Sequence, residues 1–201
     1  MSIETVAIAP PAPGTYVTDP IHSSVNFVAR HLIGSKVRGT FREFNGTLII
    51  RDPPEDSSVE GVVQVASVDT GQEQRDAHLK SADFFDLENH PTILLVSTGL
   101  TKVTDTDWIM NSNLTVRGVT KPVTWDLEFL GSGLGLADAS SVSGFTATAE
   151  IDRRDFEVSF NHVLADLSLV VGNKVTLELE VEANLQGPGE LAGEPGASDD
   201  V

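Results

Sequence analysis

Residues 67–97 read SVDTGQEQRDAHLKSADFFDLENHPTILLVS, a polar and charge-dense stretch set in a sequence that otherwise alternates like sheet. Thr70-Gly71-Gln72-Glu73 fits a capping box, in which the threonine hydroxyl accepts an amide of the first turn and the glutamate reaches back to the cap. This predicts a short helix over residues 71–82. Asp76 and Lys80 stand four apart and are predicted to pair on its exposed side, while His78, Leu79, Ala82 and Phe85 gather on a face that must cover something. Asn89-His90-Pro91 ends the segment, because the residue before a proline is driven out of the helical region. Ile93-Leu94-Leu95-Val96 then reads as a short buried strand.

On either side the period is two. Val25, Phe27 and Ala29 alternate with Ser24, Asn26 and Arg30 in a strand over 22–31, and Val37, Gly39 and Phe41 continue after a turn at Gly34-Ser35. Asn45-Gly46 is a hairpin-turn signal, since both residues accept positive φ, and strands are predicted over 47–51 and 59–68. Beyond the insert, strands fall at 92–98, 108–116, 123–130, 142–152 and 173–185, with a Gly-rich loop over 131–139. Val175, Leu177, Leu179, Val181 and Ala183 oppose Thr176, Glu178, Glu180 and Glu182, as an antiparallel sheet with one solvated face requires. Residues 156–169, with Asn161-His162 inside, read as a long loop or a helical turn over one end of the sheet. Sparse helix and about eight or nine strands fit either a sandwich or an up-and-down barrel.

The 201 residues are expected to form one domain over 14–185, between an Ala- and Pro-rich arm (1–13) and an acidic, disordered tail (186–201). A formal net charge of -17 opposes nucleic acid or an anionic membrane as partner, because both need Lys and Arg against phosphates. With no cysteine, disulfides, thiolate catalysis and Cys-based metal sites are excluded. The N-terminus carries neither a signal-peptide pattern nor a membrane span, so the expected compartment is the cytoplasm. The sequence is compatible with a monomer or a homodimer.

Arg75, Asp76 and His78 are the residues most like an active site: an Asp-oriented histidine base beside an arginine that anchors an anion. The same three also fit a surface charge network, or donors that meet the polar head of an amphiphile. No two of the five histidines have metal-motif spacing, and His22 and His31 point to opposite sides of one strand, so no metal is expected. Ser23 and Ser97 lie outside any G-x-S-x-G elbow, and Gly131-Ser132-Gly133-Leu134-Gly135 lacks the Lys-Ser/Thr of a phosphate loop.

Arg75-Asp76-x-His78-Leu79-Lys80-Ser81-x-Asp83-Phe84-Phe85-Asp86, followed by Pro91 and Ser97, resembles the signature of the YceI-like family of lipocalin-like polyisoprenoid-binding proteins. Asp19-x-x-His22-Ser23-x-Val25-x-Phe27, Val37-Arg38-Gly39-x-Phe41-x-x-Phe44-x-Gly46, and the hairpin-like run Leu114 to Val123 extend the likeness over 14–185. Where the pattern leads to an Arg-x-x-Phe-Gly turn, this chain has Arg153-Arg154-Asp155-Phe156-Glu157.

The resemblance implies an all-β, lipocalin-like antiparallel up-and-down barrel of about eight strands with a short helical insert. It implies a protein that binds, carries or stores a long apolar amphiphile, a polyisoprenoid, without converting it and without other cofactor. Small inward residues (Ala29, Gly39, Gly61, Ala147, Ala149) leave room inside. The expected ligand contacts are Phe27, Phe41, Phe84, Phe85, Trp125 and Phe145, with Leu79, Leu95, Leu177 and Leu179. Arg75 and His78 are expected at the mouth, under an insert anchored by Leu79 and Phe85. An enzyme acting on an amphiphile through Arg75, Asp76 and His78, and an acidic interaction module, are the competing readings.

Overall fold

In the computed structural model, residues 10–31, 34–135, 141–161 and 170–187 are described. The outer part of the arm (1–9), most of the tail (188–201), His162 and most of the 156–169 segment lie outside the described residues. Eleven strand segments form one antiparallel sheet that closes on itself: β1 (Gly14–Thr18), β2 (Ser24–His31), β3 (Ser35–Phe41), β4 (Phe44–Ile50), β5 (Ser58–Gln64), β6 (Val68–Asp69), β7 (Thr92–Lys102), β8 (Asp107–Val116), β9 (Val119–Leu134), β10 (Ser141–Asp152) and β11 (Val171–Leu185).

The pairing resolves these segments into eight long strands. β1 pairs with β4 (Tyr16↔Leu48) while β2 pairs with β3 (Phe27↔Gly39), so β1 and β2 are two halves of one strand, and β3 and β4 of the next. β5 and β6 likewise share the following position, against β4 (Gly46↔Gly61) and β3 (Phe41↔Val68). β7 to β11 follow as a meander. The free edge of β11 then meets both β1 (Tyr16↔Leu185) and β2 (Leu177↔Phe27), which closes an up-and-down barrel in which only the two-residue β6 is paired on one side alone.

Serines patch the breaks. At the β1–β2 break Ser23 Oγ donates to Glu182 O at 3.1 Å and accepts from Glu182 N at 2.9 Å. At the other two, Ser67 Oγ donates to Gln64 O at 2.7 Å and accepts the Glu43 amide at 3.0 Å, while the Arg42 amide reaches Ser67 O at 3.2 Å. Hydroxyls thus satisfy backbone groups that the interrupted ladder leaves open.

Several expectations are corrected. Asn45 and Gly46 make no turn; they lie within β4, opposite Val62 and Gly61. Gly46 stands there for proximity, since a Cβ would come within 3.0 Å of Thr18 Oγ1 and 3.4 Å of Glu60 O. β9 runs on through Gly131 to Leu134, paired with Ser141 to Gly144, where a loop was predicted. β1 carried no alternation signal, yet its Tyr16 is fully buried and donates its hydroxyl to Ala12 O at 3.0 Å.

The helix α1 spans Glu73–Lys80 and is capped by the Gln72 side chain, which accepts from the Arg75 amide. Thr70 is no cap: its hydroxyl and amide donate to Asp76 Oδ1, so Asp76 is drawn away from the predicted pairing with Lys80. His78 and Ala82 are exposed, and the apolar face is supplied by Leu79 together with Phe84 and Phe85 just after the helix. Tyr16, Leu48, Phe129, Phe145 and Ala183 pack one end of the barrel. Phe84, Phe156, Val158 and Val116 pack the other, beneath the insert.

Candidate functional site

Between the two packed ends runs an internal cavity of about 270 Å³, lined almost wholly by apolar side chains. On β11 its wall extends from Val171 to Val181, about 30 Å of strand at roughly 3.3 Å per residue. So small a volume over such a length describes a narrow tunnel. Its room comes from side chains that are missing or small: Gly61 on β5 has space beside it, and Ala29 and Ala147 add little bulk to the wall. A Cβ on Gly61 would meet Asn45 O at 3.8 Å and Leu95 Cβ at 3.9 Å, ordinary contacts, so packing does not force that glycine. Gly39 leaves no room, contrary to expectation: Phe27's ring occupies the place, 2.3 Å from where a Cβ would stand. Ala149 sits in the packed core, not on the tunnel wall.

Phe27, Phe41, Phe84, Phe85, Trp125 and Phe145 all stand on the wall, as do Leu79, Leu95, Leu177 and Leu179. Phe41 bridges Phe27 and Phe85, with ring centroids 5.7 Å apart in each case, so the insert is stitched to the β2–β3 side through aromatic edges. Trp125 satisfies its indole N–H within the core by donating to Ser112 Oγ at 2.9 Å.

Arg75 and His78 are not part of this wall. The Arg75 guanidinium is folded back on Thr70, donating from Nε to the hydroxyl at 2.7 Å and from Nη2 to the carbonyl at 2.9 Å. His78 Nε2 lies 2.9 Å from Asp83 Oδ2, and its ring packs edge-on against Phe84 and Phe160 at 5.0 and 4.9 Å. Asp76 serves Thr70, not His78. The three residues tie down the insert and share no common site, because each polar group has been claimed by the loop that flanks the helix.

The sequence profile of the YceI-like domain matches residues 16–183. The chain belongs to the YceI-like domain family. A UPF0312 protein of Staphylococcus aureus (strain MSSA476) is 30% identical over 172 residues, 85% of this YceI-like chain and 97% of that protein. The solved Campylobacter jejuni YCEI protein is similar at 28% identity and a TM-score of 0.67, over 79% of this chain and 90% of that one. A polyisoprenoid binding domain from Saccharophagus degradans, implicated in plant cell wall breakdown, shares the fold at 14% identity and a TM-score of 0.61, covering 87% and 100% of the two chains.

A buried charged wall residue of this YceI-like barrel escaped the sequence reading. Arg153 opens the 3-10 turn Arg153–Phe156 at the insert end and is only 6% exposed, the one charged residue among the buried described residues. Its Nη1 donates to Val158 O at 2.6 Å and Phe160 O at 2.9 Å, and Nε donates to Gly172 O at 3.0 Å. Burial pushes its pKa down from the ordinary value, against a smaller opposing pull from Asp152. Its neighbour Arg154 stays outside and grips Asp152, whose carboxyl that hydrogen bond holds down at about 2. The only hint was that Arg153-Arg154-Asp155-Phe156-Glu157 stands where an Arg-x-x-Phe-Gly turn was expected.

Asp19, His22 and Glu182 place three ligand-type atoms within 4.8 Å of one another, but on the outer face at the β1–β2 break, where His22 Nδ1 is already 2.9 Å from Asp19 Oδ2. No helix among the described residues is long and apolar enough to cross a membrane.

Proposed function

We propose that the barrel binds one long, slender apolar amphiphile of the polyisoprenoid class along its tunnel and performs no chemistry on it. The observation that carries this reading is the narrow apolar cavity held open by Gly61, Ala29 and Ala147. Ligand pockets typically measure about 300–1,000 Å³, so this one, at about 270 Å³, falls just below that range and suits a slender linear chain better than a fused ring system. Burying about ten methylene equivalents at about 0.8 kcal/mol each contributes about 8 kcal/mol before association costs, sufficient for retention without a reactive group. Membership of the YceI-like family, and the fold shared with a polyisoprenoid binding domain, support the same ligand class. An enzymatic reading through Arg75, Asp76 and His78 has no assembled geometry to rest on.

The test is to purify the chain from its own host and examine it by native mass spectrometry and solvent extraction, beside Gly61→Leu. The wild type should carry or take up an isoprenoid such as geranylgeraniol, and Gly61→Leu, whose Cβ makes only ordinary contacts and whose branch points into the tunnel, should fold yet take up none. A wild-type barrel that stays empty and refuses geranylgeraniol, or a Gly61→Leu variant that binds it equally well, overturns the proposal.

A further inference from the structure

On the outer face, where β1 ends and β2 has not yet begun, three side chains of metal-ligand type converge. Asp19 and His22 belong to the break, while Glu182 comes from β11, which pairs with β1 on one side of the break (Thr18↔Ala183) and with β2 on the other (Ser24↔Glu180). Backbone bonds fix this frame. The Asp19 amide donates to Glu182 O at 2.8 Å, Ser23 Oγ accepts the Glu182 amide at 2.9 Å and donates to its carbonyl at 3.1 Å, and Asp19 Oδ1 accepts the Ile21 amide at 2.8 Å. Two carboxylate oxygens are then turned on one nitrogen: His22 Nδ1 lies 2.9 Å from Asp19 Oδ2 and 3.8 Å from Glu182 Oε1. One imidazole nitrogen carries one proton, so it serves Asp19 and leaves Glu182 beyond hydrogen-bond reach. All 13 Lys and Arg residues of the chain are among the described residues, and none pairs with either carboxylate.

We propose that Asp19, His22 and Glu182 form a binding site for a divalent first-row metal ion of the zinc type, which takes the place of the Nδ1 proton and gives both carboxylates a shared cation. At bonds of about 2.1 Å, neighbouring donors around such an ion stand about 3.0–3.4 Å apart. Asp19 and His22 already meet that spacing, and the half-exposed Glu182 side chain reaches it by closing less than about 1 Å. An imidazole with two carboxylates and no thiolate suits zinc, nickel or copper, whereas calcium and magnesium take all-oxygen shells. The side chain of His22 is 60% exposed, so an ion has free access and the remaining coordination positions go to water. Bound there, the ion clamps the β1–β2 break to β11, the strand that closes the barrel, and raises stability by occupying the folded state alone. The site is independent of the tunnel and of what the tunnel holds. Sequence spacing conceals it, because its third ligand lies on the last strand.

The test titrates the full chain, freed of metal by a chelator, with zinc chloride in a calorimeter, and follows the melting temperature in parallel. The wild type should take up one zinc ion at this site and melt higher with zinc, while calcium and magnesium give neither effect at the same concentrations. His22→Gln and Glu182→Gln should each weaken zinc at least about tenfold, since even outer-shell partners of a metal carry 10–100-fold, and His31→Gln at the other end of β2 should leave it unchanged. Glu182→Gln is the deciding variant, because it keeps the Asp19–His22 pair intact: an affinity that it does not alter belongs to that pair or to another place and overturns the proposal. Should a variant fold poorly, the wild type decides with cobalt(II), which should shift the ring-proton resonances of His22 and spare those of His31. Shifts confined to other histidines, or no saturable zinc binding at all, overturn it as well.

Discussion

Glu157 shows how one residue can stand in a place that suits another. It follows the 3-10 turn with φ 60° and ψ 15°, the left-handed region, and its amide closes the turn onto Arg153 and Arg154 carbonyls. That reversal brings the Val158 carbonyl back under Arg153 Nη1, so the strained residue orders the buried guanidinium. Its own side chain is exposed. The left-handed conformation costs a residue with a Cβ about 1–2 kcal/mol, and glycine's extra freedom in the unfolded chain takes back about 0.4–1 kcal/mol. Glu157→Gly should therefore stabilise the fold by about 1 kcal/mol, read as a higher urea midpoint at unchanged slope. A lower midpoint would mean that the Glu157 side chain contributes something its exposure does not reveal.

At the scale of the element, the broken strands are what the sequence conceals. The alternation over β10 and β11 was plain because each side chain has one solvated or one buried fate for a dozen residues. It fails at 19–23, 42–43 and 65–67, where the pleat is interrupted and serine hydroxyls replace ladder bonds, and a period of two carries no sign of that. The insert was legible as an insert but its cap was not, because Gln72 and Asp76 outcompete the apparent Thr70–Glu73 box. Tunnel-wall apolar residues could be named from inward positions; Arg153 could not, since an arginine in a turn normally reads as solvated. The β1–β2 break also carries a titrating pair. The Asp19 carboxylate raises the pKa of His22 above its ordinary value by hydrogen bond, and His22 in turn holds Asp19 below its own. A raised histidine contributes stability that is full below its unfolded value, about 6.5, and is lost as pH climbs through the folded value. The depressed Asp19 contributes above its ordinary value and loses its share as pH falls. The pair thus holds the break between those limits; His22 is exposed and Asp19 half-buried, so the effect is small and local. Proton NMR should find His22 titrating above about 6.5 in the wild type and lower in Asp19→Asn; an unmoved midpoint would show that the two groups do not meet in solution.

At the scale of the molecule, closure of the barrel separates an apolar interior from an exterior that is strongly one-signed. The formal charge is -17. On β11 the outward row Glu178, Glu180 and Glu182 has Thr148, Thr146 and Gly144 beside it on β10, and Glu178 and Glu180 have Asn26 and Ser24 beside them on β2. These partners are neutral, so Glu178 and Glu180 face each other along the strand without cross-strand cations to offset them, while Glu182 has His22 Nδ1 at 3.8 Å. The ion pairs that do form, such as Lys174 with Glu150 and Lys102 with Asp105, are exposed and contribute little each. Self-repulsion should therefore outweigh attraction in the folded state, where the charges are held closer than in the unfolded chain. Raising sodium chloride from about 0.01 M to about 1 M shortens the screening length from about 30 Å to about 3 Å and removes most of that repulsion. The melting temperature of the lipid-free protein should rise over this range, most steeply at the low end where screening changes fastest. Neutralising the row, as Glu178→Gln with Glu180→Gln, should raise the low-salt melting temperature and flatten the salt curve. A melting temperature that falls with salt would mean that the few ion pairs, not the unpaired acidic row, set the electrostatic balance of the barrel.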